Sequence, residues 1–178
     1  MSDVVGAVVL AAGAASRFGS PKQRLLLAPV LARVRGARTV YEIVVVIGAH
    51  GVDTDARTVR CADWERGPGA SLRCGLRALP ARAEAAVVVL ADGPGLASEA
   101  IDRVVAAWRE GAGDVVAASY DGERGHPVVL GRAVWPAVPD EGARAFDPVL
   151  VPCDDLGAPG DVDVPGDIAG RVVDAGGE

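Results

Sequence analysis

Two segments of the sequence place residues with useful chemistry directly after apolar runs. The first is Leu10-Ala11-Ala12-Gly13, which is followed by Arg17, Gly19 and Lys22. Small residues let backbone N–H groups approach phosphate oxygens, and Arg17 and Lys22 add positive charge. The spacing matches neither a Walker A loop nor the G-x-G-x-x-G dinucleotide fingerprint. By position alone, a phosphate-binding loop and a turn with two solvated cations are equally good interpretations.

The second segment is Leu90-Ala91-Asp92-Gly93-Pro94, at the end of another apolar run. A carboxylate at the mouth of a buried strand is well placed to hold Mg²⁺ together with substrate phosphates. An Asp before Gly-Pro is also ordinary turn chemistry. Near the C-terminus, Asp161 and Asp163 are two residues apart and share one face of any extended segment. Taken singly, each acidic site is more often a solvated turn.

Lysine is the rarest basic residue of this chain. Of the 18 basic side chains 17 are arginine, and Lys22 is the remaining one. Because the chain otherwise uses arginine throughout, we expect position 22 to require a lysine.

The elements that must position these residues alternate between strand and helix patterns. Apolar, β-branched runs that predict buried strands cover residues 4–10, 43–47, 85–90 and 115–119, and shorter ones cover 126–130 and 149–151. Helices are predicted for residues 29–34, 71–79 and 99–110, with Pro29 at the start of the first, Ser98 as the cap of the third and Gly111 at its end. This alternation predicts an α/β fold, a three-layer α/β/α Rossmann-like domain with a largely parallel sheet that spans residues 1–178.

Composition limits the class of protein. The 24 acidic residues exceed the 18 basic ones, for a net charge of −6, so nucleic acid is not an expected partner. No apolar run approaches the roughly 18 residues of a membrane-spanning helix, and no signal region is evident, so we expect no membrane association. The cysteines Cys61, Cys74 and Cys153 form no recognisable disulfide or metal pattern. We therefore expect free thiols and a cytoplasmic protein.

Four motifs occur in a specific order. They are Leu10-Ala11-Ala12-Gly13 with Arg17, Gly19 and Lys22; Leu90-Ala91-Asp92 with Pro94; Gly125-His126-Pro127-Val128; and Asp161-Val162-Asp163 with Pro165. Together with Asp63-Trp64 and residues 67–79, this set resembles the MobA-like nucleotidyltransferases, in particular the molybdenum cofactor cytidylyl- and guanylyltransferases. The resemblance extends over most of the chain.

The resemblance implies a sheet of the nucleotide-diphospho-sugar transferase type and a Mg²⁺-dependent reaction. A phosphate of the acceptor would attack the α-phosphorus of CTP or GTP and displace pyrophosphate. The implied catalytic residues are Arg17, Lys22 and Asp92, and the implied metal ligands are Asp92, Asp161 and Asp163. The implied nucleotide-binding residues are Leu10, Ala11, Ala12, Gly13, Arg17, Lys22, Gly69 and Ser71. His126 would line the acceptor side.

Several of these residues have simpler structural interpretations. Ser71 is equally consistent with a helix cap, and a histidine in a Gly-His-Pro turn is more often structural. Trp64, Trp108 and Trp135 are most simply core or lid residues.

The sequence also departs from the family pattern. Gly93 occupies a position that is often Gln, and the stretch after Lys22 lacks a Gly-rich segment that helps shape the acceptor side. These departures affect the acceptor more than the nucleotide.

Three functions remain open. The first is nucleotidyl transfer to molybdopterin or the molybdenum cofactor, with a molybdoenzyme or its chaperone as a partner. The second is cytidylyl or uridylyl transfer to a sugar or polyol phosphate, since Pro21-Lys22-Gln23 also resembles the cytidylyltransferase of isoprenoid synthesis. The third is a non-catalytic nucleotide-binding maturation partner. The sequence does not distinguish CTP from GTP.

Overall fold

One mixed sheet forms the centre of the computed structural model, which describes residues 3–13 and 22–160, with only the backbone for residues 22–25. Within these residues the strands are β1 (Val4–Ala11), β2 (Val40–Ile47), β3 (Arg57–Arg60), β4 (Ala83–Leu90), β5 (Val115–Tyr120), β6 (Glu123–Gly131) and β7 (Val149–Pro152). The helices are α1 (Lys22–Gly36), α2 (Pro68–Ala78) and α3 (Ser98–Arg109). Short 3₁₀ helices occur at Trp64–Arg66, Arg132–Ala137, Gly142–Ala145 and Asp154–Leu156.

The strand order is β3-β2-β1-β4-β6-β5-β7. Strands β3, β2, β1 and β4 run parallel to one another, and β5 and β7 are also a parallel pair. Strand β6 is antiparallel to both β4 and β5. Strand β6 reverses direction because it follows β5 through a tight hairpin at Asp121-Gly122, a pair that favours such turns. The predicted, largely parallel Rossmann-like sheet is therefore confirmed.

Apolar side chains cover both faces of the sheet and make the three layers. On one face, Val30 and Val34 of α1 and Ile101 of α3 belong to the same buried cluster as Val9 and Val87. On the other face, Leu72 and Leu76 of α2 pack in a cluster with Val8 and Val88. Successive residues of β1 and β4 thus point to opposite faces, and each buried valine or leucine contributes about 1.5–3 kcal/mol.

The helix predicted for residues 29–34 is wrong at its start, since α1 begins at Lys22 and contains Pro29 in its interior. A proline inside a helix removes one hydrogen bond and costs about 3 kcal/mol. Leu26 and Leu27, one turn earlier, are fully or almost fully buried. Their burial outweighs the cost of the proline and extends the helix toward the N-terminus.

The predicted cap of α3 is also wrong. Ser98 is the first helical residue, Ala97 precedes it, and no side chain caps the helix. The Ser98 hydroxyl instead donates a hydrogen bond of 2.6 Å to the carbonyl oxygen of Arg33. The tertiary contact between α3 and α1 has taken the hydroxyl that the local pattern assigned to the cap. Gly111, by contrast, follows the helix with a φ of 84°, as predicted for its end.

The expectation of free thiols is wrong for two of the cysteines. Cys61 and Cys74 form a disulfide with their Cα atoms 5.9 Å apart, and Cys153 is a buried free cysteine. Cys61 directly follows β3 and Cys74 lies in α2. The spacing of 13 residues carried no signal because the proximity arises only when α2 packs against the sheet.

None of the helices in the described part of the chain is long and apolar enough to cross a membrane.

Candidate active site

The candidate site lies where β1 and β4 end side by side. Leu10 is aligned with Leu90 in the parallel pair, and the N–H of Ala91 donates to the carbonyl oxygen of Leu10 over 3.1 Å. The segments that follow these two strands carry Gly13 and Asp92, so the fold brings the first two sequence motifs together. In open α/β sheets, ligands bind beyond the carboxyl ends of adjacent strands.

A cavity of about 420 Å³ opens at this point. The residues that line it are Leu10, Ala12, Gly13, Trp64, Glu65, Gly67, Pro68, Ser71, Leu90 and Asp92. Five residues with predicted nucleotide or metal roles, Leu10, Ala12, Gly13, Ser71 and Asp92, therefore share one cavity. Ala11 does not line it; its side chain is buried in the opposite core cluster.

Ser71 lies inside α2 and is 4% exposed. The residue that precedes α2 is Gly67, so the interpretation of Ser71 as a helix cap is wrong. Ser71 lines the cavity, and its contact with a nucleotide stays a prediction.

Gly69 lies in the first turn of α2, between the lining residues Pro68 and Ser71. Its N–H donates to the carbonyl oxygen of Asp140 over 2.8 Å, and a Cβ at this position would lie 1.6 Å from the carbonyl oxygen of Pro139. No other residue fits there without moving one of the two backbone segments. Gly69 thus sets how closely the start of α2 approaches residues 139–140, and its direct contact with a base stays a prediction.

Two arginines stabilise the contact between the start of α2 and residues 139–140. Arg73 of α2 donates to Asp140 over 2.6 Å and to the carbonyl oxygen of Val138 over 2.9 Å. Arg66 lies 3.2 Å from the same carboxylate. The hydrogen bond from Arg73, aided by Arg66, holds the pKa of Asp140 below its usual value. Nothing in the local sequence indicates this pairing, because the partners are far apart along the chain.

Another cavity, of about 470 Å³, lies on the other side of the end of β4. Its lining includes Leu90, Gly93, Tyr120, Arg124 and His126. Leu90 lines both cavities. Of the two residues that follow Ala91, Asp92 lines the first cavity and Gly93 lines the second. The loop after β4 therefore separates the two cavities. The first contains the predicted nucleotide-binding residues and is called the nucleotide-side cavity below, and the second contains His126, the predicted acceptor-side residue.

His126 lines the second cavity and is partly buried. Burial, together with the positive charge of Arg124, lowers the pKa of His126 to about 4, although the negative charge of Asp92 opposes both effects. The imidazole is therefore neutral near pH 7. Arg124 donates to the carbonyl oxygens of Ala143 and Phe146 over 2.6 and 2.7 Å, which ties the wall of this cavity to the segment around residue 145.

The last described residues return to the loop of Asp92. The N–H of Gly95 donates to the carbonyl oxygen of Pro159 over 3.0 Å. A Cβ at Gly93 would lie 3.1 Å from both Pro159 and the carbonyl oxygen of Gly160. A side chain at position 93 would require this segment to shift by a few tenths of an ångström, so glycine allows the close approach.

Arg103 of α3 fixes the path of this returning segment. Its guanidinium donates two hydrogen bonds to Asp155, of 2.7 and 2.9 Å, and another to the carbonyl oxygen of Pro152 over 3.0 Å. The hydrogen bonds from Arg103 lower the pKa of Asp155. The chain is thereby directed from β7 toward Gly93.

Several predicted site residues lie outside the described residues. They are Arg17, Asp161 and Asp163, together with the side chain of Lys22, whose backbone begins α1. Within residues 3–13 and 22–160 no group of three metal-ligating side chains occurs. Asp92 and Glu65 are the carboxylate residues among the described residues that line the nucleotide-side cavity. A carboxylate such as that of Asp92 fits the donor set of Mg²⁺, which binds proteins through one or two carboxylates and takes further oxygens from substrate phosphates and water.

Comparison with known proteins gives a family and a set of similar folds. The model of the MobA-like NTP transferase domain matches residues 7–146. Rv0371c from Mycobacterium tuberculosis H37Rv is 26% identical, with a TM-score of 0.78 and coverage of 97% of this chain and 99% of that one. A structure of Rv0371c in complex with manganese gives 24% identity, a TM-score of 0.72 and coverage of 96% and 98%.

The fold is also similar to that of a molybdopterin-guanine dinucleotide biosynthesis protein A from Archaeoglobus fulgidus. Here the identity is 14%, the TM-score is 0.67, and 96% of this chain and 98% of that one are covered. None of the curated proteins compared with the chain matches it significantly.

Proposed function

Because the chain belongs to the MobA-like NTP transferase family and is thus a nucleotidyltransferase, we propose that it transfers CMP or GMP from CTP or GTP to molybdopterin or the molybdenum cofactor. The observation that carries this proposal is the position of Asp92. Its carboxylate lines the nucleotide-side cavity, and the next residue, Gly93, lines the second cavity. A phosphate held at this point would meet an acceptor that enters from the other side.

The proposed reaction begins with a triphosphate in the nucleotide-side cavity. A terminal phosphate oxygen of the acceptor attacks the α-phosphorus in line, the bond to the bridging oxygen breaks, and pyrophosphate leaves. Arg17 and Lys22 neutralise charge on the phosphate oxygens, and Leu10, Ala12 and Gly13 lie along the nucleoside. Positioning and charge neutralisation account for most of the catalysis in such transfers.

Mg²⁺ is the proposed cofactor, and it would neutralise charge on the phosphates while Asp92 holds it. Asp163, with Asp161 beside it in the sequence, would complete the acidic set. The described chain ends at Gly160, whose carbonyl oxygen would lie 3.1 Å from a Cβ at Gly93, the residue after Asp92. The manganese complex of Rv0371c supports a divalent metal in a protein of this fold.

The acceptor is proposed from the family and from the second cavity. The fold similarity to molybdopterin-guanine dinucleotide biosynthesis protein A supports a phosphorylated pterin. His126 would line the acceptor as a neutral imidazole, able to donate one hydrogen bond and accept another. We also propose a cytoplasmic location, since nucleoside triphosphates are cytoplasmic substrates.

Thermal unfolding with CTP, GTP, ATP and UTP, each with and without Mg²⁺, tests the function. A nucleotide at about 100 times its dissociation constant adds about 2.7 kcal/mol of stability. We expect CTP or GTP to stabilise the protein strongly only with Mg²⁺, because without the metal the negative charge of Asp92 repels the phosphates. Asp92→Ala should abolish this metal dependence.

Glu84→Ala is the matched control, since Glu84 is exposed near the opposite end of the same strand. Release of pyrophosphate on addition of molybdopterin then tests the acceptor. If no nucleotide stabilises the protein, or if stabilisation is equal without metal, the proposed function is wrong.

A further inference from the structure

Trp64 is an aromatic side chain in a cavity otherwise lined by small, aliphatic and acidic residues. Among the described residues that line the nucleotide-side cavity, it alone is aromatic. Trp64 begins the 3₁₀ turn that connects β3 to α2. The sequence suggested a core or lid role for this residue. Trp64 does pack against the core cluster of Leu72 and Val8, and it also lines the cavity.

The backbone around Gly48 holds the indole in place. A Cβ at Gly48 would lie 2.6 Å from Cγ of Trp64 and 2.6 Å from the carbonyl oxygen of Ala12. Arg60 donates to the carbonyl oxygen of Gly48 over 2.7 Å, which fixes this backbone segment. The base of the Trp64 side chain therefore rests against the ends of β1 and β2, and its position is set by the protein.

The remainder of the indole is available to a ligand. Trp64 is only partly buried. The ring N–H of Trp135 donates to the carbonyl oxygen of Leu130 over 3.0 Å, whereas no such hydrogen bond from the ring of Trp64 exists within residues 3–13 and 22–160. A large, rigid ring surface thus lines the cavity without a polar contact that would commit it to the fold.

The other walls suit a planar ring. Ala12, Gly13, Gly67 and Pro68 present small side chains or bare backbone to the same cavity. Asp92 and the loop that follows Gly13 supply the groups expected to hold metal and phosphates. Ser71, which the resemblance assigns to nucleotide binding, lines the same cavity as Trp64, so the nucleoside is expected beside the indole.

We propose that the indole of Trp64 stacks on the nucleobase of the bound triphosphate and positions it for transfer. The inference deepens the proposed function and rests on it. Stacking on an aromatic side chain is sequence-tolerant because every base has a π-face, so Trp64 would strengthen nucleotide binding without itself choosing the base.

The test compares Trp64→Phe, Trp64→Leu and Trp64→Ala by calorimetric titration. Each variant is titrated with the nucleotide that binds wild type in the presence of Mg²⁺, and separately with inorganic tripolyphosphate and Mg²⁺. We expect Trp64→Leu and Trp64→Ala to weaken nucleotide binding about tenfold or more, as typical stacking energies imply. Trp64→Phe should retain most of the wild-type affinity. Binding of tripolyphosphate should stay unchanged, because it has no base.

Trp135→Leu is the control for loss of an indole outside the cavity and should bind nucleotide like wild type. A second measurement needs only the wild type and Trp64→Phe: nucleotide should quench tryptophan fluorescence in the former and much less in the latter. This comparison remains available should the Ala variant fail to fold.

Equal nucleotide affinity in wild type and Trp64→Leu would overturn the proposal. So would equal losses for nucleotide and tripolyphosphate, since Trp64 would then only hold the cavity in shape. Both outcomes leave Mg²⁺-dependent nucleotide binding by the wild type intact. A wild type that binds no nucleotide would instead contradict the proposed function itself.

Discussion

Cys61, directly after β3, and Cys74, in α2, are joined by a disulfide that closes a loop with a sequence separation of 13 residues. Five of the ten described residues that line the nucleotide-side cavity belong to this loop. They are Trp64, Glu65, Gly67, Pro68 and Ser71. The disulfide thus fixes the segment that carries these five residues to the end of β3 at Cys61 and to α2 at Cys74.

Reduction of this disulfide should weaken both the fold and nucleotide binding. A loop of this length contributes about 3 kcal/mol in the chain-entropy model of cross-links. A dithiol reductant opens the bond by thiol–disulfide exchange: its own two thiols become a disulfide, and Cys61 and Cys74 become thiols. We expect a lower melting temperature and a higher dissociation constant for the nucleotide.

The double variant Cys61→Ala and Cys74→Ala separates this effect from other actions of the reductant. It should resemble the reduced wild type and show no further change when dithiothreitol is added, although Cys153 is still present. Unchanged nucleotide affinity in the reduced wild type would mean that packing alone holds the loop.

The lone lysine gives a prediction about charge geometry. Lysine is a compact point charge that fits between phosphate oxygens, whereas arginine is a broad planar fork. Lys22→Arg should therefore lose about one hundredfold or more in pyrophosphate release, about 2.7 kcal/mol of barrier, nearly as much as Lys22→Ala. Melting temperatures should change little.

Arg24→Lys is the matched control, two residues away in the same helix and without an assigned role. It should behave like wild type in steady-state rates and in melting curves. Retention of most activity by Lys22→Arg would make the single lysine an accident of composition.

The two C-terminal aspartates should differ in importance. If Asp163 binds the metal and Asp161 orients it, Asp163→Asn should reduce turnover more than Asp161→Asn, because an amide does not supply the missing charge. Steady-state rates across a Mg²⁺ titration measure both effects. Equal and small losses would return both residues to the interpretation of a solvated turn.

His126 should make stability depend on pH. Its folded pKa of about 4 lies below the ordinary value of 6.5, chiefly because of burial. Between pH 6.5 and about pH 4, His126 takes up a proton in the unfolded chain but not in the folded protein. The stabilisation is therefore complete above pH 6.5 and is lost as the pH falls from 6.5 toward 4.

Urea unfolding of wild type and His126→Gln tests this linkage. Between about pH 7 and about pH 5.5, wild type should lose roughly 1 kcal/mol more than the variant. His50→Gln, at an exposed position, should keep the wild-type dependence. The same loss in wild type and His126→Gln would assign the effect to other groups.

The sequence alone predicted the strand segments that are almost entirely buried. Strands β1 and β5, residues 43–47 of β2 and residues 85–90 of β4 are nearly continuous apolar runs, and a run that is buried on both faces needs no knowledge of its neighbours to be recognised. The sequence also predicted a phosphate-binding loop after β1 and a metal ligand at Asp92 after β4, because chemically distinctive residues follow those runs directly. The structure places Gly13 and Asp92 in one cavity, and their roles stay predictions. Strand β3 was missed because Arg57–Arg60 lies at the edge of the sheet, is largely exposed and carries little hydrophobic pattern.

Only the tertiary structure decided which contacts prevail where two local tendencies compete. Burial of Leu26 and Leu27 extends α1 through Pro29, and the carbonyl of Arg33 takes the hydroxyl of Ser98 from its cap. The pairing of Cys61 with Cys74 and the place of Trp64 in the cavity depend on how α2 packs against the sheet. Such contacts join residues that are distant in the chain, so their energies appear only once the sheet order brings them together.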